Sequence, residues 1–124
     1  MPPGDRWNIE ITDEYLRWFS ALEEGQQDAI RADIEILEQM GPFLGRPYVD
    51  SIKGSRHSNM KELRTMRGRR HLRSFFAFDP RRTAILLIGG DKTGDKTFYE
   101  KMVPLADRLF DQYLEEIRKE RLIP

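Results

Sequence analysis

The chain reads as an α+β domain in which a helical hairpin and a C-terminal helix pack on one face of a curled, mainly antiparallel sheet. Three observations lead there. Apolar and polar residues alternate at 6–11 and again across 61–78, as strands require. Apolar residues recur at helical spacing across 12–22, 26–40 and 103–117. The resulting order is strand, helix, helix, three antiparallel strands, helix, which places helices and strands in separate layers. At 124 residues and 39% apolar, the chain suits one domain spanning residues 1–124, with residues 1–5 expected to be flexible.

In the first strand, Trp7, Ile9 and Ile11 share a side. Thr12 is placed to cap a helix whose first turn carries Asp13 and Glu14, with Tyr15, Leu16, Trp18, Phe19 and Leu22 on its apolar face. Glu24-Gly25 breaks the pattern. A second helix over about 26–40 carries Ala29, Ile30, Ile34, Leu37 and Met40 and stops at Gly41-Pro42. Residues 41–58 read as a loop with a short edge strand near 47–52. Strands follow at 61–66 and 70–78, with turns at 67–69 and 79–82. The run Ala84–Ile88 reads as a central strand buried on both faces and ended by Gly89-Gly90. A polar loop, 91–97, leads to the last helix, started near Val103 because Pro104 resists a helix interior.

Lys/Arg and Asp/Glu balance at 21 each, but they are segregated. Residues 1–50 hold four basic and eleven acidic residues, whereas residues 51–82 hold ten and two. Such segregation favours a local anion-binding patch over a generally basic protein. With no cysteine there is no disulfide framework and no thiolate zinc site. The longest apolar run is too short to cross a bilayer and the N-terminus lacks a leader-like core, so a soluble cytoplasmic protein is expected. Neither a metal site nor a cofactor is expected. The stretch "GGDKT" has part of a phosphate-binding loop but not its full spacing, which argues against nucleotide binding.

The basic patch is "MKELRTMRGRRHLRSFFAFD", residues 60–79. Strand alternation puts Glu62 and Arg64 on one face, and His71 and Arg73 on one face of the next strand. If Leu63 and Leu72 point at the helices, an acid, an imidazole and two guanidiniums point outward together. That set suits metal-independent RNA cleavage. A base takes the 2′-hydroxyl proton, an acid protonates the leaving 5′-oxygen, and cations hold the charge growing on the phosphoryl oxygens. Glu62 or His71 can be the base, and His57, His71 or Tyr99 the acid. Arg64 and Arg73 hold the phosphate through planar forks. Lys61, Arg70, Lys92, Lys96 and Tyr99 are candidates for binding the RNA. The plain alternative is a solvated or self-paired charged face over an ordinary phenylalanine core. On the catalytic reading, Arg73→Ala stops activity and leaves the fold intact.

The segments "IKGSRHSNMKELR", "RRHLRSFFAFD" and "AILLIGGDKTGDKTFYEKMVPLADRLFDQYLEEI" together resemble the HigB-like branch of the RelE/ParE toxin superfamily over about residues 42–118. The resemblance implies a RelE-like fold and the toxin of a type II toxin–antitoxin system. Such a toxin is an endoribonuclease cutting mRNA on the translating ribosome, silenced by a cognate antitoxin, often of helix-turn-helix type. By position it carries roles to Glu62, Arg64, Arg73, Lys92 and Lys96. Two features depart from the pattern: the neutral overall charge, and a loop with Gly90-Asp91 before Lys92 and Phe98 after Thr97. Two other readings stand beside it: a ParE-like inhibitor of DNA gyrase that cleaves nothing, and a non-toxic RNA- or partner-binding domain.

Overall fold

A computed structural model of the chain describes residues 6–124, so the expectation for residues 1–5 lies outside the described residues. The elements are β1 (Asn8–Ile11), α1 (Asp13–Ser20), α2 (Glu24–Met40), β2 (Val49–Ser51), β3 (Lys61–Arg67), β4 (Arg70–Phe78), β5 (Thr83–Asp91) and α3 (Phe98–Lys119). The strands form one sheet in the order β1-β5-β4-β3-β2. Among the described residues, only β1 runs parallel to its neighbour, and the other pairings are antiparallel. The α+β class and the mainly antiparallel sheet therefore match the sequence reading.

The layering differs from that reading. Helices cover both faces. Phe76, Ala84 and Leu86 pack with Tyr15 of α1 and Leu37 of α2, while Phe75, Ala77, Ile85 and Leu87 pack with Val103, Ala106, Leu109 and Phe110 of α3. Neighbouring residues of a strand point to opposite faces, so a run such as Phe75-Phe76 needs cover on both. One layer of helices could not bury both phenylalanines, each of which is fully buried.

Local chemistry sets the boundaries. Thr12 caps α1 by accepting from the Tyr15 N–H at 3.0 Å, as its position predicted. Glu24-Gly25 does not break the chain. Glu23 and Gln26 form a capping box, α2 begins at Glu24, and Gly25 lies under the Arg67 guanidinium. Nor do Gly89 and Gly90 end β5. A Cβ on Gly89 would collide with the Trp18 ring of α1, and one on Gly90 would lie 2.7 Å from Phe98 Cε1 of α3. These glycines let a large ring approach the sheet from each side. Finally, α3 starts five residues before Val103. Pro104 sits in its second turn, where it removes a single backbone hydrogen bond close to the helix start.

No helix among the described residues is long and apolar enough to cross a membrane.

Candidate active site

Register fixes which side chains meet. Glu62 pairs with Phe75 and Arg64 with Arg73 across β3 and β4. Phe75 belongs to the α3 side, so Glu62, Arg64, His71 and Arg73 all lie on the face opposite the helical hairpin. The sequence grouped these four correctly. It left their face open, however, and the first turn of α3 covers part of it. Glu62 is 3% exposed and Arg73 5%.

The Glu62 carboxylate is the hub. Its Oε1 accepts from the Tyr99 hydroxyl at 2.7 Å. Its Oε2 accepts from Arg64 Nε and Nη2, both at 3.3 Å. Arg73 Nε lies 3.4 Å from Oε1, an ion pair out of line for a hydrogen bond. Among the described residues, this Nε is the one buried side-chain nitrogen or oxygen without a hydrogen-bond partner. Arg73 Nη1 donates to the Leu72 carbonyl at 3.1 Å. Burial, then the Glu62 hydrogen bond and charge, raise the Tyr99 phenol above its usual value, with Arg73 opposing. Tyr99 is thus a neutral donor aimed at a buried anion.

The rim is cationic. The Lys92 ammonium lies 5.6 Å from the Tyr99 ring centroid. Lys92 and Lys96 join His71, Thr93, Gly94 and Asp95 around an open hollow on the β5–α3 loop. The loop is braced from within. The Lys92 N–H donates to the His71 carbonyl at 3.0 Å, the His71 N–H to Thr93 Oγ1 at 2.8 Å, and Asp95 receives Thr97 and Lys101.

Three expected residues fall elsewhere. Lys61 pairs with Phe76, which puts it on the hairpin face. Arg70 lies where β4 leaves the β3–β4 turn and pairs with Asp91 at 3.4 Å. His57 is held by Asp111 at 2.7 Å and by the Phe110 ring. Asp111 lies twelve residues beyond Tyr99, or about 18 Å along α3, so His57 is no part of this site. Conversely, sequence reasoning missed Asp50. Its Oδ2 accepts from Arg64 Nη2 at 3.3 Å and from Arg46 Nη2 at 2.8 Å. Its signal was faint: one acid at the edge of a basic stretch.

Residues 17–111 match the family described as phage-derived protein Gp49-like. The chain belongs to that family. Within it the sequence is HigB-like: it is 46% identical to toxin HigB3 of Mycobacterium tuberculosis over 79% of this chain and 85% of that protein. It is 42% identical to toxin HigB2 of the same organism over 87% of this chain, and there the match spans 54% of the relative's length. The fold is shared with a free-state mutant of Escherichia coli toxin RelE, with a TM-score of 0.58 at 7% identity, covering 78% of this chain and 95% of that one. The RelE–RelB complex of Pyrococcus horikoshii gives 0.54 at 13% identity, covering 72% and 98%. The Gp49-like chain is accordingly HigB-like in sequence and RelE-like in fold.

Proposed function

We propose that this HigB-like chain is the toxin of a toxin–antitoxin pair and cuts mRNA on the translating ribosome by metal-independent chemistry. The observation that carries this reading is the buried Glu62 carboxylate beneath Tyr99, Arg64 and Arg73. In the reaction, the 2′-oxygen attacks the adjacent phosphorus, the bond to the 5′-oxygen breaks, and a 2′,3′-cyclic phosphate and a 5′-hydroxyl form. Tyr99 alone is a poor base at neutral pH. Paired with Glu62 it can relay: its oxygen receives the 2′-hydroxyl proton as its own proton passes to the carboxylate. Arg64, 30% exposed, meets the phosphoryl oxygens, and Arg73, 5% exposed, lends charge from beneath. His71, on the same face beside the lysine hollow, protonates the 5′-oxygen. Lys92 and Lys96 hold the RNA backbone.

The partners follow from the same reading: mRNA and ribosome as target, and a cognate antitoxin of helix-turn-helix type as silencer. The RelE neighbour in complex with RelB supports the antitoxin.

The test is induced expression of wild type, Arg64→Ala and Tyr99→Phe, with mapping of mRNA 5′ ends. Growth arrest with new ends, both lost in the folded variants, is expected. Arrest with no new ends would overturn the ribonuclease reading.

One observation favours a second reading. Arg73 and Glu62 are nearly closed to solvent, an arrangement that a protein-binding inhibitor such as a gyrase poison tolerates more easily than an enzyme does. A supercoiling assay separates the two, since only the inhibitor blocks gyrase.

A further inference from the structure

The cationic face does not stop at Arg64. Asp50 Oδ2 is shared by Arg64 Nη2 and by Arg46, whose Nε and Nη2 reach it at 3.2 and 2.8 Å. Two guanidiniums therefore stand less than two hydrogen-bond lengths apart on one oxygen. Along this row, Arg46, Arg64 and Arg73 face Asp50 and Glu62, a surplus of one positive charge before any ligand binds. Arg46 is at the outer end, with 74% of its side chain exposed. Tyr48, two residues after Arg46 in sequence, has a carbonyl that accepts from the Arg64 N–H at 2.7 Å and a side chain that is 37% exposed. An exposed ring on the same edge as arginines that lead toward a phosphate site is an arrangement single-stranded RNA uses, with backbone on the cation and base on the ring.

We infer that Arg46 and Tyr48 seat the RNA nucleotide next to the scissile phosphate, with its phosphate on Arg46 and its base on Tyr48. This rests on the ribonuclease reading and extends it to substrate recognition on the β2 edge.

Binding is measured with a single-stranded RNA methylated at every 2′-oxygen, which cannot be cut, at several salt concentrations. Cleavage of unmodified mRNA on translating ribosomes is followed in parallel, and circular dichroism checks the fold. Arg46→Ala is expected to lower the slope of log affinity against log salt by about 0.7, the share of one phosphate contact on a single strand, and Arg46→Lys to keep it. Tyr48→Ala is expected to weaken binding about tenfold with the slope unchanged, and Tyr48→Phe to restore it. In cleavage, both alanine variants raise KM and leave kcat in place. Wild-type slope and affinity in both alanine variants, with wild type still cutting, would overturn this inference alone. A wild type that neither binds this RNA nor cuts mRNA on translating ribosomes would overturn the ribonuclease reading with it. Variants that bind RNA normally but lose affinity for an antitoxin would assign the edge to protein recognition and overturn the inference as well.

Discussion

Replacing Tyr99 by Phe removes one oxygen and leaves the rest of the site in place. The ring keeps its contacts with Phe98 and Phe75, at centroid distances of 5.2 and 6.2 Å, and stays under Lys92. What is lost is a 2.7 Å hydrogen bond to a buried carboxylate. A bond to a charged group contributes about 1.5–3 kcal/mol when dry. Tyr99 is only partly buried, so water can replace the hydroxyl and about 1 kcal/mol is a fair net cost. For 124 residues that corresponds to a Tm lower by about 4 °C. The expected kinetic effect is far larger, about 10²–10⁴-fold in kcat, because the proton relay is cut. The two scales separate the roles, since 1 kcal/mol of stability cannot remove a hundredfold of rate well below the Tm. The assay is single-turnover cleavage of mRNA on programmed ribosomes at 25 °C beside a thermal melt. A folded Tyr99→Phe protein that cuts within about threefold of wild type would refute the relay.

Other outcomes follow from the packing. Arg73→Ala, taken from sequence to spare the fold, should destabilise by about 3–5 kcal/mol, because it leaves Glu62 buried with a partner removed; urea unfolding decides, and Arg64→Ala, half-exposed, should cost much less. Gly89→Ala drives a methyl into Trp18 and should cost at least about 1–3 kcal/mol in the same assay. Tyr15→Phe strands the buried Ser74 hydroxyl, 2.8 Å from the Tyr15 oxygen, and should cost about 1–3 kcal/mol; burial pushes that phenol up to about 12, with the Ser74 bond opposing. Burial, then the Glu10 hydrogen bond, also raises Tyr113 above its usual 10.0. A raised folded value means stability fully present below pH 10 and lost as pH rises through the folded value, so Tyr113→Phe should flatten the alkaline arm of an unfolding-versus-pH curve.

The strands were legible because alternation is a local signal: Glu62, Arg64, His71 and Arg73 share a face, and strand pairing at Arg64–Arg73 keeps them together. The cover over that face was not legible, for one reason. Pro104 argued for a late start to α3, whereas a proline in a second turn costs only one hydrogen bond. Missing that turn hid Phe98 and Tyr99 as a roof. The two-sided core was readable in principle from Phe75-Phe76 and from the apolar run of β5, both too continuous for a sheet with one bare face. The partners of His57 and of Arg64 were not readable. Asp111 lies 54 residues from His57 and Asp50 lies 14 from Arg64, and no periodicity links such positions.

Gly90 sits directly across from Arg73 in the sheet and directly beneath Phe98, the residue before Tyr99. It therefore works as a spacer of zero thickness. A methyl at this point would meet the Phe98 ring 2.7 Å away and press on the first turn of α3, which carries Tyr99. The spacing of the proposed catalytic assembly would thus be set by a residue that carries no chemistry.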